Sequence, residues 1–251
     1  MKVMESLKER LSHGRVHMTL IDPASQDDEK SVQIAMEAEK AGTDFIMLGG
    51  STEIDSAKMD RAVKAIKSKV STGIILFPGS SAMISRYADA IYFMSLLNSK
   101  DREYIIGHQR KASMLLREIG METISMAYLV FEPGMTVGRQ GKADLIGRED
   151  WKKALSYALA AEMMGMDLVY LEAGSGSPTT ISPSVVSKLK ETLRIPVIAG
   201  GGIRSAASAS ELLRAGADII VTGTIAEKSS NVLTELRPIV EAVHSFPSTH
   251  D

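Results

Sequence analysis

Ile195-Pro-Val-Ile-Ala-Gly-Gly-Gly-Ile-Arg204, followed after an alanine-rich run by Ala215-Gly-Ala-Asp-Ile-Ile-Val-Thr-Gly-Thr224, is the stretch on which the fold turns. Residues 196–199 and 219–221 are short apolar runs without polar alternation, the pattern of strands buried on both faces of a parallel sheet. The first run ends in Gly200, Gly201 and Gly202, the second in Gly223. Glycine lets a backbone turn tightly, approach a ligand and aim successive N–H groups at it. Each glycine turn leads toward a helical pattern, whose free N–H groups and positive dipole end favour an anion. Two such turns, one βαβ unit apart, describe the phosphate site built by the last two strands of a (β/α)8 barrel. That reading requires six earlier strands.

Residues 16–21, 44–48, 73–77, 90–94, 124–131 and 167–171 supply them, with 195–199 and 218–221 as the seventh and eighth. Helical patterns fall at 27–40, 56–69, 103–119, 149–164, 183–192 and 206–214, with a closing helix at 228–244. Three junctions repeat: Ala41-Gly-Thr-Asp44, Met164-Gly-Met-Asp167 and Ala215-Gly-Ala-Asp218 each place a helix-ending glycine before an aspartate and an apolar run. Only residues 80–88 separate the third and fourth strands, too few for a barrel helix with its loops, so the third helix is expected to be missing or reduced. Residues 135–147, polar and carrying Gly138 and Gly141, are expected to form a lid or binding loop. Nothing marks a linker, so residues 1–251 read as one α/β domain, a TIM-type (β/α)8 barrel.

Composition narrows the chemistry. The 251 residues hold no cysteine, which excludes disulfides, thiolate metal sites, iron–sulfur clusters and a thiol nucleophile. A net charge of -2 gives no general attraction to nucleic acid or an anionic membrane. No apolar run approaches the ~18 residues of a membrane span, and the charged start is not a signal peptide; a cytoplasmic location is expected. His13, His17, His108, His244 and His250 are scattered and suggest no metal cluster.

Barrel chemistry sits at the C-terminal ends of the strands. Gly201, Gly202, Gly223 and Thr224 offer backbone N–H groups to a phosphate, and Gly174, Ser175 and Gly176 offer a third wall. Asp22 ends the first strand, and Ser51 follows the second. An acid with a neighbouring hydroxyl at a barrel mouth suits Mg²⁺, although Asp22 could equally cap its own loop. Glu172 ends the sixth strand on the same face as Tyr170. Desolvation and a nearby phosphate would raise its pKa and suit it to accept a proton, the alternative being a ligand for substrate hydroxyls.

Taken together, Thr19-Leu-Ile-Asp-Pro23, Leu48-Gly-Gly-Ser51, Ile75-Leu-Phe-Pro-Gly79, Phe93-Met-Ser-Leu-Leu-Asn98, Glu132-Pro-Gly-Met-Thr-Val-Gly138, Tyr170-Leu-Glu-Ala-Gly-Ser-Gly176, Gly200-Gly-Gly-Ile-Arg204 and Val221-Thr-Gly-Thr224 resemble the archaeal geranylgeranylglyceryl phosphate synthase family, in its second sequence group. The resemblance spans almost the whole chain in order. It implies a Mg²⁺-dependent prenyltransferase of membrane phospholipid synthesis. Such an enzyme joins the 3-hydroxyl of sn-glycerol 1-phosphate to geranylgeranyl diphosphate and releases diphosphate. It further implies a barrel without its third helix, Asp22 and Ser51 at the metal, and a glycerol-phosphate site at Tyr170, Leu171, Glu172, Ala173, Gly174, Ser175, Gly176, Gly201, Gly202, Gly223 and Thr224. A homodimer or homohexamer and a transient membrane contact for product release are implied as well. Ala24 and Ser25 depart from the family, which often carries an acid and a lysine there. Other readings are a heptaprenylglyceryl phosphate synthase with a longer chain, a sugar-phosphate isomerase or epimerase, and a barrel that binds phosphate without catalysis. The prenyl groove is expected to border the gap left by the third helix, near strands three to five.

Overall fold

The computed structural model describes residues 2–50, 52 and 54–248. Eight parallel strands pair in chain order and close when β8 pairs with β1: β1 (Val16–Ile21), β2 (Phe45–Gly50), β3 (Gly73–Pro78), β4 (Ala90–Leu96), β5 (Glu122–Val130), β6 (Leu168–Glu172), β7 (Val197–Gly200) and β8 (Ile219–Thr222). The helices are α1 (Val3–His13), α2 (Asp28–Ala41), α3 (Ser56–Lys67), α4 (His108–Glu118), α5 (Met135–Gln140), α6 (Trp151–Met163), α7 (Pro183–Lys190), α8 (Ala206–Arg214), α9 (Thr224–Lys228) and α10 (Val232–His244). No helix occupies residues 79–89 between β3 and β4, as the short connection requires. Among the described residues, no helix is long and apolar enough to cross a membrane.

Strand alternation builds two cores. Residues such as Met18, Met47, Ile75, Tyr92, Met126, Tyr128, Tyr170 and Ile198 point inward and fill the barrel. Their neighbours, Leu48, Leu76, Leu129, Val169, Leu171 and Ile220, point outward against the helices. The lower mouth is closed by α1, whose Val3, Leu7 and Leu11 join the inner core. The Glu122 carboxylate, at the foot of β5, accepts the Val3 and Met4 N–H groups and so caps the start of α1.

The aspartates before the strands do structural work that extends beyond the three junctions seen in the sequence. Each sits just before an even-numbered strand and accepts a backbone N–H from the preceding strand. Asp44 takes His17 at 2.9 Å, Asp89 takes Ile74 at 2.8 Å, Asp167 takes Ser125 at 3.0 Å and Asp218 takes Val197 at 2.8 Å. The first N–H groups of a barrel strand would otherwise lack a partner at its lower rim.

Three segments differ from the sequence reading. The closing helix is broken: α9 follows directly on the last glycine turn, and α10 starts anew where the Asn231 side chain accepts the Thr234 N–H at 3.1 Å. Residues 135–147 contain α5, so the expected loop carries a short helix over the barrel mouth. The helix expected at 103–119 opens with a π-helical turn, Glu103–Gly107, before α4.

Candidate active site

Three adjoining spaces lie at the C-terminal mouth. The first lies over β6–β8 and is lined by Tyr170, Glu172, Ser175, Gly176, Gly201, Gly202, Arg204, Gly223 and Thr224, among others. Gly201 has φ +83°, and a Cβ there would lie 2.6 Å from Glu172 Oε1 and 2.8 Å from the Gly174 nitrogen. Only glycine lets this turn close on the carboxylate. Across the cavity, Thr224 Oγ1 accepts the Gly176 N–H at 3.0 Å and lies 3.0 Å from Ser175 Oγ, which ties the β6 and β8 turns together. Arg204 Nη2 donates to the carbonyls of Gly176 and Ser177 at 3.1 and 2.9 Å, tying the β7 turn to the same loop. Glycine turns, the Ser175 and Thr224 hydroxyls and the Arg204 guanidinium line this space, a set suited to a phosphate. Not all of residues 170–176 face this space. Leu171 and Ala173 point to the outer layer, and Gly174 gives its N–H to Glu172.

The second space is the centre of the mouth, lined by Leu20, Asp22, Gly50, Phe77, Gly79, Met94, Tyr128, Thr136, Val137, Glu172, Ser175 and Glu227. Glu172 is 5% exposed. Its Oε1 accepts the Gly174 N–H at 2.6 Å and its Oε2 the Tyr128 hydroxyl at 3.1 Å, and Tyr170 also donates to it. Burial pushes the Glu172 carboxyl above its ordinary value, and these donors partly offset that rise. Burial, reinforced by Glu172, holds both tyrosine hydroxyls far above the normal phenol range, so they remain donors. A carboxylate has about four acceptor positions, so Glu172 keeps capacity for one more proton donor.

Asp22 stands at the end of β1. Its Oδ1 accepts the Ala24 N–H at 2.9 Å, and a Cβ on Gly50 would lie 2.4 Å from its Oδ2. Burial raises the Asp22 pKa, while the Ala24 N–H and the charge of Lys58 oppose that rise. Ser51, the other expected metal residue, lies outside the described residues. No group of three or more His, Asp or Glu side chains gathers as a metal cluster among the described residues.

The third space is a cleft where the third helix would stand. Pro78, Ser81, Ile84, Ile91, Phe93, Met94, Tyr104, His108, Ala112 and Leu116 line about 490 Å³ of largely apolar open volume. Gly79 and Met94 line both this cleft and the central mouth, so the two adjoin.

The sequence reading missed Tyr128, Arg204 and Glu227. Tyr128 was accessible through alternation with Met126 and Val130 on β5. Arg204 stands in the quoted glycine motif, but nothing local shows where its long side chain ends. Glu227 lies in a one-turn helix too short to show periodicity.

Comparison with known proteins places this geometry. The PcrB family model matches residues 4–243. The geranylgeranylglyceryl phosphate synthase of Picrophilus torridus is 60% identical over 97% of this chain and 100% of its own length. The crystal structure of (S)-3-O-geranylgeranylglyceryl phosphate synthase from Thermoplasma acidophilum, in complex with substrate sn-glycerol-1-phosphate, superposes with a TM-score of 0.96 at 58% identity, covering 98% of this chain and 99% of that one. The wild-type enzyme from Thermoplasma volcanium superposes at 0.95 with 56% identity, covering 98% and 99%. A family model matching nearly the full chain, and relatives this similar over their full lengths, show that the chain belongs to the PcrB family, beside the geranylgeranylglyceryl phosphate synthases.

Proposed function

We propose that this chain is a geranylgeranylglyceryl phosphate synthase: it alkylates the 3-hydroxyl of sn-glycerol 1-phosphate with geranylgeranyl diphosphate and releases diphosphate. One observation carries the reading. Glu172 lines both the polar cavity and the central mouth, and the mouth adjoins an apolar cleft. A small phosphorylated alcohol fits the first space, a diphosphate the second and a prenyl tail the third. Family membership favours this reaction over a sugar-phosphate isomerase or a non-catalytic barrel.

In this mechanism the turns at Gly176, Gly201, Gly202, Gly223 and Thr224 hold the glycerol phosphate by its anionic end. That grip brings the 3-hydroxyl to Glu172, whose raised pKa matches it to accept the hydroxyl proton as the alcohol oxygen attacks C1 of the prenyl group. The C1–O bond to diphosphate breaks with its electron pair, and the new C–O ether bond forms. Tyr128 and Tyr170 hold the Glu172 carboxylate in place, and the walls of the cleft keep water from the electrophilic carbon.

Mg²⁺ fits the residues at Asp22. Oxygen donors are few there, and two partly buried carboxylates, Asp22 and Glu227, line one space. Mg²⁺ takes one or two carboxylates and otherwise keeps waters and substrate phosphates. In this reading Asp22 and Ser51 would hold the ion, which would supply positive charge to offset that of the leaving diphosphate.

The test is incubation of the purified chain with labelled sn-glycerol 1-phosphate and prenyl diphosphates of several lengths, with Mg²⁺ or with chelator. Ether product is expected with Mg²⁺, most of it from geranylgeranyl diphosphate. A preference for a longer donor would favour the heptaprenyl alternative. No ether from any donor would refute the proposal.

A further inference from the structure

Met135 is a strained residue outside every step of the mechanism. It opens α5 at φ +47°, the left-handed region that an L side chain rarely adopts, directly after Gly134 at φ +69°. Glycine at 135 would carry no such strain, so the retained side chain has something to do. The helix behind it is well anchored. Gly134 and Gly138 bring α5 against Leu145: a Cβ on them would lie 2.5 and 3.0 Å from Leu145 Cδ2. Ser99 Oγ donates to the Gly141 carbonyl just past the end of α5, at 2.6 Å.

The Met135 side chain packs on Gly174. A Cβ on Gly174 would lie 2.6 Å from Met135 Cγ and 2.7 Å from Met135 Cβ. Gly174 is the residue whose N–H meets Glu172 Oε1 at 2.6 Å. Backbone bonds fix the peptides on either side. The Ala173 N–H donates to the Gly200 carbonyl at 3.2 Å, and the Gly174 carbonyl accepts the Ser177 N–H at 3.0 Å. The Ala173–Gly174 peptide, which carries the Gly174 N–H, lies between those two bonds and is held by neither. With glycine at 174, at φ +102°, this peptide can turn about its ends unless a neighbour fills the adjacent space. Met135 fills it.

We propose that Met135 is a positioning residue for the catalytic carboxylate: its left-handed backbone aims the side chain at Gly174 and so keeps the Gly174 N–H on Glu172. The proposal rests on the reading of Glu172 as the base. Losing that N–H would remove a donor that lowers the Glu172 pKa, so the carboxyl would ionise only at higher pH. The other titratable and charged groups around it are Tyr128 on β5, Tyr170 on β6, Asp22 and Glu227 in the central space and Arg204 in the phosphate cavity. A substitution at 135 leaves all of them in the chain.

The test compares pH–rate profiles, both KM values and urea unfolding across Met135→Gly, Met135→Ala, Met135→Leu and Glu172→Gln. Met135→Gly is the most informative, because it relieves the strain while it removes the contact. Its urea midpoint should stay close to wild type. The acidic limb of its kcat profile should move up by about one pH unit, the scale of one hydrogen bond to a charged group. Turnover would then be about tenfold slower on that limb and near wild type on the alkaline plateau, with KM for sn-glycerol 1-phosphate within about twofold. Met135→Ala should shift the limb in the same direction, and Met135→Leu, which refills the space, should restore it. An unshifted limb in the Gly and Ala variants would overturn the proposal. So would an equal loss at every pH, which would mean general loosening of the mouth, or a Leu variant shifted as far as Ala. If Glu172→Gln kept the wild-type limb and rate, the reading of Glu172 beneath the proposal would fall instead.

Discussion

Asp44 and Asp218 at the lower rim and Asp22 and Glu172 at the upper rim are all carboxylates at strand ends, removed wholly or in part from solvent, yet their surroundings differ. Asp218 pairs with Arg15 at 3.0 Å and Lys190 at 2.8 Å, and Asp44 with Arg10 and with His244 at 2.9 Å. Each also accepts a strand N–H. Among the described residues, Asp22, Glu172 and Glu227 make no ion pair within 4.0 Å. Asp22 and Glu172 are bonded to backbone N–H groups or hydroxyls, and burial raises all three pKa values. An acid neutralised by a fixed cation is spent on stability. One left without a cation, in a cavity, is held for a cationic partner or a proton. The difference is therefore less in the residue type than in whether the fold supplies the counter-charge.

The largest expected separation between the two rims comes from Asp218→Ala. It would leave the buried Arg15 guanidinium without its partner and should destabilise the chain by about 3–5 kcal/mol. Urea unfolding measures this, while turnover per folded molecule should stay near wild type. Normal stability, or a specific loss of turnover, would break the comparison.

His17 gives a pH-dependent version of the same test. It is fully buried at the lower end of the barrel, between Thr43 Oγ1 at 2.9 Å and Thr222 Oγ1 at 3.0 Å, and burial holds its pKa near about 4 against an ordinary 6.5. The native state therefore keeps it neutral while the unfolded chain takes up a proton below pH 6.5. Its contribution is intact above pH 6.5 and is lost as pH falls toward 4, about 3 kcal/mol in all. In His17→Gln this part of the acid slope should vanish. His244 runs the other way. Asp44 raises its pKa, so its contribution is present below pH 6.5 and fades as pH rises through the raised value. Stability curves for His17→Gln and His244→Gln should deviate from wild type with opposite signs. Deviation with the same sign would show that the two histidines do not act through these environments.

The smallest effect is expected at the upper rim. Arg204→Ala removes two bonds to loop carbonyls and should raise KM for sn-glycerol 1-phosphate about tenfold, with kcat little changed. A fall in kcat at constant KM would move Arg204 from holding the loop to the chemistry itself.

Much of this was legible in the sequence because barrels write their topology locally. Apolar runs recur once per βα unit, glycine stops followed by aspartate starts mark three of the junctions, and the short connection at residues 80–88 announces the missing helix. The glycine turn after β7 was legible because glycine is required by backbone geometry at Gly201 itself. What escaped depends on side chains crossing between strands. Arg204 reaches the β6 loop, Glu227 lines the space that Asp22 lines and Tyr128 reaches Glu172, and none of these approaches leaves a periodic trace. The break between α9 and α10 was hidden because the helical pattern resumes on the far side of Asn231. Leu171 and Ala173 show the converse limit: a contiguous motif includes strand residues that alternation turns away from the cavity.

The central claim is that Glu172 takes the proton from the alcohol. The direct test is Glu172→Gln, with sn-glycerol 1-phosphate binding measured by calorimetry and ether formation by single-turnover kinetics on the same preparation. Glutamine keeps the shape and an acceptor for the Tyr128 hydroxyl but cannot serve as a base. The account predicts a dissociation constant within about threefold of wild type and ether formation slowed by about a hundredfold or more. In the wild type alone, the rate should fall as pH drops through the raised Glu172 value, because the base must be ionised. Retained turnover, or turnover lost only in proportion to binding, would contradict the claim and reduce Glu172 to a ligand for the substrate.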